Sequence, residues 1–219
     1  MCNSSPSTAP LPPGCAPLAP GHRRRIFFGF QDTAINNTFG LAYEEVDQNG
    51  NVVPGTHYPA VDKDENNALA NPPPPGYPTT TGLAEFDPNV TVICLPLAQG
   101  QMPATETWEL VQLSTENHNF HLHQTRFIEK VGPGAGSVIQ DNFLLGVAVP
   151  TNATIAAQVS NNQNGVCTIP QCRNGACAST RVVEQIPFTQ LGEFVYHCHI
   201  LEHEDGGMMA RIVVVSSPN

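Results

Sequence analysis

The stretch "EFVYHCHILEHEDGGMMARIVVVSS", residues 193–217, decides how the chain is read. Its ends, "EFVYHCHI" and "ARIVVVSS", are short runs rich in β-branched and aromatic residues, as in strands. Between them, His197, Cys198, His199, His203, Met208 and Met209 crowd into "HCHILEHEDGGMM". Side chains alternate along an extended strand, so His197 and His199 point to one face and Cys198 to the other. One strand therefore serves two sites placed back to back.

A second cluster, "HNFHLH", carries His118, His121 and His123. His121 and His123 share a face and can join the His197/His199 side. His118, three residues before His121, is free to approach the Cys198 side. Only His22 and His57 of the chain's 8 histidines lie outside these windows. One histidine alone is more often packed or solvated than a ligand, but this density, with a cysteine, points to metal. The Cys198 side collects His118, Cys198, His203 and a methionine. Two imidazoles, a thiolate and a weak axial thioether form a trigonal blue-copper site. Zinc competes, because Cys and His suit it too, while one thiolate with an axial methionine favours copper. Met208 is preferred to its neighbour Met209 as that axial group.

Outward from these clusters the chain is β-type. It has 21 prolines and 18 glycines with 13% charged residues, a loop-rich composition. Strands are expected in "RRRIFFGF", "NVTVICLPL", "TWELVQLS", "FIEKVG", "DNFLLGVAVP" and "ATIAAQVS", in addition to the two at the end. No amphipathic helix of about 10 residues or more is evident. Residues 31–78 are polar and turn-rich, with "DQNGN" a hairpin signal and "NPPPPGYP" a stiff connector. Short strands separated by Gly/Pro/Asn turns indicate a sandwich or barrel. Residues 1–20 form a proline-rich tail or linker, and 21–219 one domain.

Lys+Arg 9 against Asp+Glu 19 gives a formal net charge of −10, which argues against nucleic acid and anionic membrane as partners. The run Arg23–Arg24–Arg25 is expected to be a solvated strand entry. No stretch reaches the roughly 18 apolar residues that span a bilayer. The first residues have neither the basic flank nor the apolar centre of a signal peptide, so export information was removed or the chain begins partway through a longer protein. Besides Cys198 there are Cys2, Cys15, Cys94, Cys167, Cys172 and Cys177. Their even number and the spacing in "CTIPQCRNGAC" are read as disulfides, hence an extracellular or periplasmic location, with metal binding by Cys167, Cys172 and Cys177 the alternative. Sequons at Asn3, Asn36, Asn89 and Asn152 are compatible with secretion.

The two histidine motifs resemble those of the multicopper oxidases, the laccase-type enzymes. H-x-x-H-x-H is matched by His118–His123, and H-C-H-x₃-H-x₄-Met by His197–Met208. The wording "HCHILEHEDGGMM" is especially similar to bacterial spore-coat laccases and copper-efflux oxidases. The resemblance covers residues 21–219 and implies a Greek-key β-sandwich of the cupredoxin (plastocyanin-like) type with long loops. It implies that His118, Cys198, His203 and Met208 hold a type 1 copper taking electrons from a reducing substrate. By the same resemblance His121 binds type 2 copper, and His123, His197 and His199 bind the type 3 pair, where dioxygen is reduced to water. Glu204 corresponds to a proton-relaying carboxylate, or is a mobile surface residue.

The chain departs from the family pattern in two respects. No further H-x-H motif exists, so half of the trinuclear ligands must come from another cupredoxin domain or chain. With only 4 methionines, it lacks a methionine-rich insert, which favours phenol-like donors over cuprous ion. The axial methionine implies a moderate potential. A stand-alone blue-copper electron-transfer or copper-binding module is the competing expectation. Structural zinc would waste the open half-site. A copper nitrite reductase would have a longer Cys-to-His spacing.

Overall fold

The structure is a computed structural model that describes residues 15–32, 37–56, 83, 85–89, 91–98, 104–130, 137–162, 165–178 and 181–217. Its strands are β1 (Arg23–Asp32), β2 (Asn37–Val46), β3 (Thr91–Ala98), β4 (Ala104–Gln112), β5 (His118–Leu122), β6 (Phe127–Lys130) and β7 (Ser137–Gln140). They continue with β8 (Asn142–Leu145), β9 (Val149–Pro150), β10 (Cys177–Ala178), β11 (Arg181–Phe188), β12 (Gly192–Cys198) and β13 (Met209–Ser217). Three short helices, α1 (Ala153–Ser160), α2 (Ile169–Arg173) and α3 (Leu201–Asp205), interrupt them.

Two sheets form a sandwich. One has the order β2-β1-β4-β11-β6-β7 and the other β3-β13-β12-β5-β8. The pairs β1/β4 and β13/β3 are parallel, and the remaining pairs antiparallel. Alternate residues supply the core between the sheets: Ile26, Phe28, Trp108 and Leu110 from one, Phe120, Leu122, Tyr196 and Ile212 from the other. The Trp108 ring meets Tyr196 edge-on at 5.3 Å. A second cluster lies on the opposite face of β1 and β4, where Phe27, Val111 and Leu113 meet Val159, Ile169 and Cys172. This explains the unbroken apolar run in "IFFGF": a strand covered on both faces has no side to give to polar residues.

The structure corrects several expectations. "ATIAAQVS" is the helix α1. The Asn152 side chain accepts from the backbone N–H of Ile155 and caps it, and Ile155 and Val159, four apart, pack on the second cluster. The cap and the alanines outweigh the β-branched residues. Within the supposedly turn-rich 31–78, β2 pairs with β1 over Arg23↔Val46 to Asp32↔Asn37. Its glutamates disguise it, because Glu44 is 1% exposed. β11 was not expected either. Its register shifts between Val183 and Ile186, and Gln185 has φ +56°. That bulge turns residues three apart to the same core and erases the period-two pattern.

The arginine run is not solvated: Arg24 and Arg25 are 4% and 6% exposed. Arg24 Nε and Nη2 donate to both Glu106 oxygens at 2.6 Å, and Nη1 donates to Tyr43 Oη. Arg25 donates to Glu109 and Glu44, and Arg173 of α2 also reaches Glu44 at 2.7 Å. Acids on the neighbouring strands β2 and β4 make burial of the run affordable.

The cysteines pair as Cys15–Cys94 and Cys167–Cys177, while among the described residues Cys172 has no disulfide partner and is buried. Cys172 lies on α2 against the second apolar cluster, and Cys2, the remaining member of the even set, lies outside the described residues. "DQNGN" does turn the chain: Asp47 Oδ1 accepts from the N–H groups of Asn49 and Asn51, and Val46 bridges Val52. Cys2, Asn3, Asn36, His57, Met102 and "NPPPPGYP" lie outside the described residues.

Candidate metal centre

The neighbouring strands β5 and β12 place His121 opposite His197 and Phe120 opposite Cys198. Alternation then sorts the ligand-type side chains, with His118 on the core face beside Phe120 and Cys198, and His121 and His197 on the other face. After β12, α3 turns the chain back. Cys198 N–H donates to the Met208 carbonyl at 3.0 Å, and Met208 N–H to the His203 carbonyl at 2.9 Å. His203 and Met208 thus return against Cys198. The return needs glycine: Gly207 has φ +95°, and a Cβ on Gly206 would strike Phe39, whose ring stacks on His203 at 4.4 Å.

On the core face, His118, Cys198 and His203 are all buried, with ligand atoms within 4.8 Å of one another. His118 Nδ1 lies 3.0 Å from His203 Nδ1, and Cys198 Sγ is 3.7 Å and 3.4 Å from those two nitrogens. The outward nitrogens are already engaged. His118 Nε2 meets Ser114 Oγ at 2.7 Å, and His203 Nε2–H donates to Glu116 Oε2 at 3.1 Å. His203 therefore turns an Nδ1 lone pair inward, and His118 Nδ1 faces it, beside a sulfur that itself accepts from Asn119 N–H at 3.3 Å. Met208 is fully buried in the adjoining core.

Burial holds these groups in particular protonation states. Desolvation, with help from nearby His203, lowers the His118 pKa to about 3, so its imidazole is neutral at ordinary pH. Burial also raises the Cys198 thiol above its usual range, against the opposing pull of the Asn119 and Ile200 backbone N–H groups. A thiolate here needs a compensating cation. Soft sulfur and inward-facing neutral imidazoles fit copper.

The opposite face gathers His121, His123 and His197, and next to them His197, His199 and Glu204. His123 Nε2 and His197 Nε2 are 2.9 Å apart. His197 Nδ1–H donates to the Cys198 carbonyl at 3.1 Å, leaving its Nε2 lone pair facing His123. The His199 ring lies 5.0 Å from His121 and 5.3 Å from His197. His121 Nδ1 is buried with no hydrogen-bond partner, which a metal ion would satisfy. Desolvation comes first, and the neighbouring imidazoles next, in lowering the His121 pKa. Glu204 Oε2 approaches His197 Nδ1 at 3.3 Å and His199 Nδ1 at 3.5 Å. A cleft of about 580 Å³, bordered by His123, Arg126 and Asp141, opens beside His121.

Of the residues singled out from the two motifs, His118, Cys198 and His203 form one cluster and His121, His123, His197, His199 and Glu204 the adjoining one, while Met208 lies in the core cluster that also contains Cys198. His22 is elsewhere, paired with Glu45 at 2.6 Å. Ser114, Glu116 and Phe39 were not foreseen. The first two lie just ahead of His118 in "STENHNFH", but only the fold shows which imidazole nitrogen each one meets.

A family model for multicopper oxidase matches residues 64–218, more than half of the chain. Among curated proteins, the chain is 30% identical over 131 residues to "Multicopper oxidase LPR1 homolog 1" of Oryza sativa subsp. japonica, covering 51% of this chain and 22% of that protein. It is 32% identical over 113 residues to "Multicopper oxidase mco" of Staphylococcus aureus, covering 50% and 20%. The matched region thus spans about a fifth of the length of these relatives. Similar solved structures include a laccase from Pediococcus acidilactici, at 25% identity, TM-score 0.37, and coverage of 60% of this chain and 23% of that one. Another is a multi-copper oxidase from the same organism, at 16% identity, TM-score 0.41, and coverage of 97% and 29%. The chain belongs to the multicopper oxidase family.

Proposed function

We propose that the chain is the terminal cupredoxin domain of a laccase-type oxidase that takes electrons from phenol-like donors and passes them to dioxygen. His118, Cys198, His203 and Met208 hold a type 1 copper. His121, His123, His197 and His199 supply half of a type 2/type 3 cluster, and a further cupredoxin domain or chain supplies the rest. Copper provides one-electron exchange with the donor at the first site and with dioxygen at the second. The residues do the positioning. Ser114 and Glu116 fix the two buried rings, Asn119 N–H steadies the sulfur, and Glu204 stands where it can hold a proton between His197 and His199.

One observation carries this reading: Cys198 and its flanking histidines open to opposite faces of one strand end. His197 Nδ1–H bonds the Cys198 carbonyl at 3.1 Å, so a short covalent and hydrogen-bonded path joins the two clusters. A module that only bound or shuttled copper through the Cys198 face would have no use for four convergent imidazoles behind it. The two disulfides support an extracellular or periplasmic location. Among the described residues no helix is long and apolar enough to cross a membrane.

A blue-copper electron-transfer module is the second reading. It is favoured by the open rim of the rear cluster, where His123 and His199 are exposed. The deciding experiment is copper content per chain on reconstituted protein, read with the visible spectrum, the mass in solution and oxygen uptake with a phenol. A complete oxidase gives about four coppers per functional unit and consumes oxygen. One copper, a blue band and no oxygen uptake in the complete assembly containing this chain would overturn the oxidase reading and leave the module, whereas the same result on this chain alone is expected of either reading.

A further inference from the structure

His118, Cys198 and His203 each have an outer partner, and a single short segment, residues 114–119, provides all three. Ser114 Oγ meets His118 Nε2 at 2.7 Å, Asn119 N–H meets Cys198 Sγ at 3.3 Å, and Glu116 Oε2 meets His203 Nε2 at 3.1 Å. Two of these partners are neutral. Glu116 alone is a carboxylate, and its side chain is 48% exposed while that of His203 is 5% exposed. The carboxylate therefore stands at the solvent-facing edge of the buried His203 ring.

Resting on the type 1 reading above, we infer that Glu116 is a positioning residue that sets the reduction potential of this centre and the charge of the donor it accepts. A carboxylate accepting from the free N–H of a metal-bound imidazole fixes the ring and makes its other nitrogen a stronger donor. Negative charge at that edge stabilises the more positive, oxidised metal, so the potential is held down. The same charge faces any incoming donor and works against anionic ones. Ser114, an uncharged partner on the buried ring, has neither effect.

The test uses the full chain loaded with copper, as wild type and as E116Q, E116A and E116D. The blue band is titrated against a redox mediator. E116Q keeps a hydrogen-bond-accepting oxygen but loses the charge. It is expected to move the oxidised-to-reduced ratio at fixed poise about tenfold toward reduced, about 59 mV for one electron. E116D is expected to lie near wild type, and the electron-spin-resonance signature of E116Q should be unchanged. In the same preparations, reduction of the blue band by an anionic donor should speed up relative to a cationic one. A blue band present in all forms with the E116Q potential equal to wild type overturns the role of Glu116 and leaves the site reading intact. A wild-type protein that takes up copper without any blue band overturns the site reading, and this inference with it.

Discussion

His118 and His203 face each other Nδ1 to Nδ1 at 3.0 Å inside the protein, with their other nitrogens committed to Ser114 and Glu116. Nitrogens so close share a proton or a cation between them. With Cys198 Sγ 3.4 Å from His203 Nδ1, the three atoms converge on a position that the protein has already paid, in desolvation, to prepare. This convergence makes the cluster more than a group of packed side chains.

Replacing the sulfur tests that convergence most directly. Cys198→Ser is close in size, and its hydroxyl can still accept from Asn119 N–H, so the metal-free fold should lose no more than about 1 kcal/mol. The thiolate-to-copper absorption should vanish, because a serine hydroxyl does not give a thiolate-type ligand. Absorption spectra and circular dichroism of copper-loaded wild type and variant decide the matter. A blue band that survives the substitution would remove Cys198 from the site.

The buried imidazoles also make metal-free stability depend on pH. His118 is lowered to about 3 by desolvation and by His203, whereas an unfolded histidine titrates near 6.5. Between those values the unfolded chain binds the proton and the folded one does not, so stability is full above about 6.5 and falls as pH drops toward 3. The loss attributable to this site is on the order of 4 kcal/mol. Urea midpoints of the metal-free protein at a series of pH values should show it, and His118→Gln should flatten the slope. An equally steep slope in that variant would place the titration elsewhere.

Much of the site was legible because its geometry is local. Alternation along "YHCHI" is enough to set Cys198 against His197 and His199, and "HNFHLH" divides in the same way. What escaped detection depends on the other sheet or on covering loops. Glu44 and Arg25 read as polar turn and strand entry until β2, β1 and β4 are side by side. Val183 and Ile186 look out of phase until the bulge at Gln185 is known. Ser114 and Glu116 resemble any polar connection, and only the packed positions of His118 and His203 give them partners. The apolar character of "ATIAAQVS" was equally compatible with a strand, and the Asn152 cap with the four-residue spacing of Ile155 and Val159 resolves it.

The buried Arg24–Glu106 pair should be costly to break from either side. Glu106 Oε2 accepts from both Arg24 Nε and Trp108 Nε1, so Arg24→Ala leaves a carboxylate buried beside a single neutral donor. Breaking such a pair costs about 3–5 kcal/mol, whereas replacing both members with apolar residues of similar volume costs much less. Denaturation followed by Trp108 fluorescence should therefore rank Arg24→Ala well below the double variant Arg24→Met/Glu106→Leu. If both lose stability equally, the pair is needed for specific contacts, not for charge balance.

Cys172 gives a chemical test of the cysteine pairing. It is 6% exposed, and burial, opposed by Arg25 and reinforced by Glu44, pushes its thiol up to about 12. The reactive form is the thiolate, so at pH 8 the folded protein offers almost none of it at this position. An alkylating reagent should leave the Cys172 peptide unmodified in the native protein and label it fully in denaturant. Under the same non-reducing conditions the Cys15 and Cys94 peptides should be recovered joined, and likewise those of Cys167 and Cys177. Because no Lys or Arg separates Cys167 from Cys172, the position of the alkylated cysteine is read by fragmentation of the linked peptide. A Cys172 peptide joined to Cys167 or Cys177 would contradict the pairing described here.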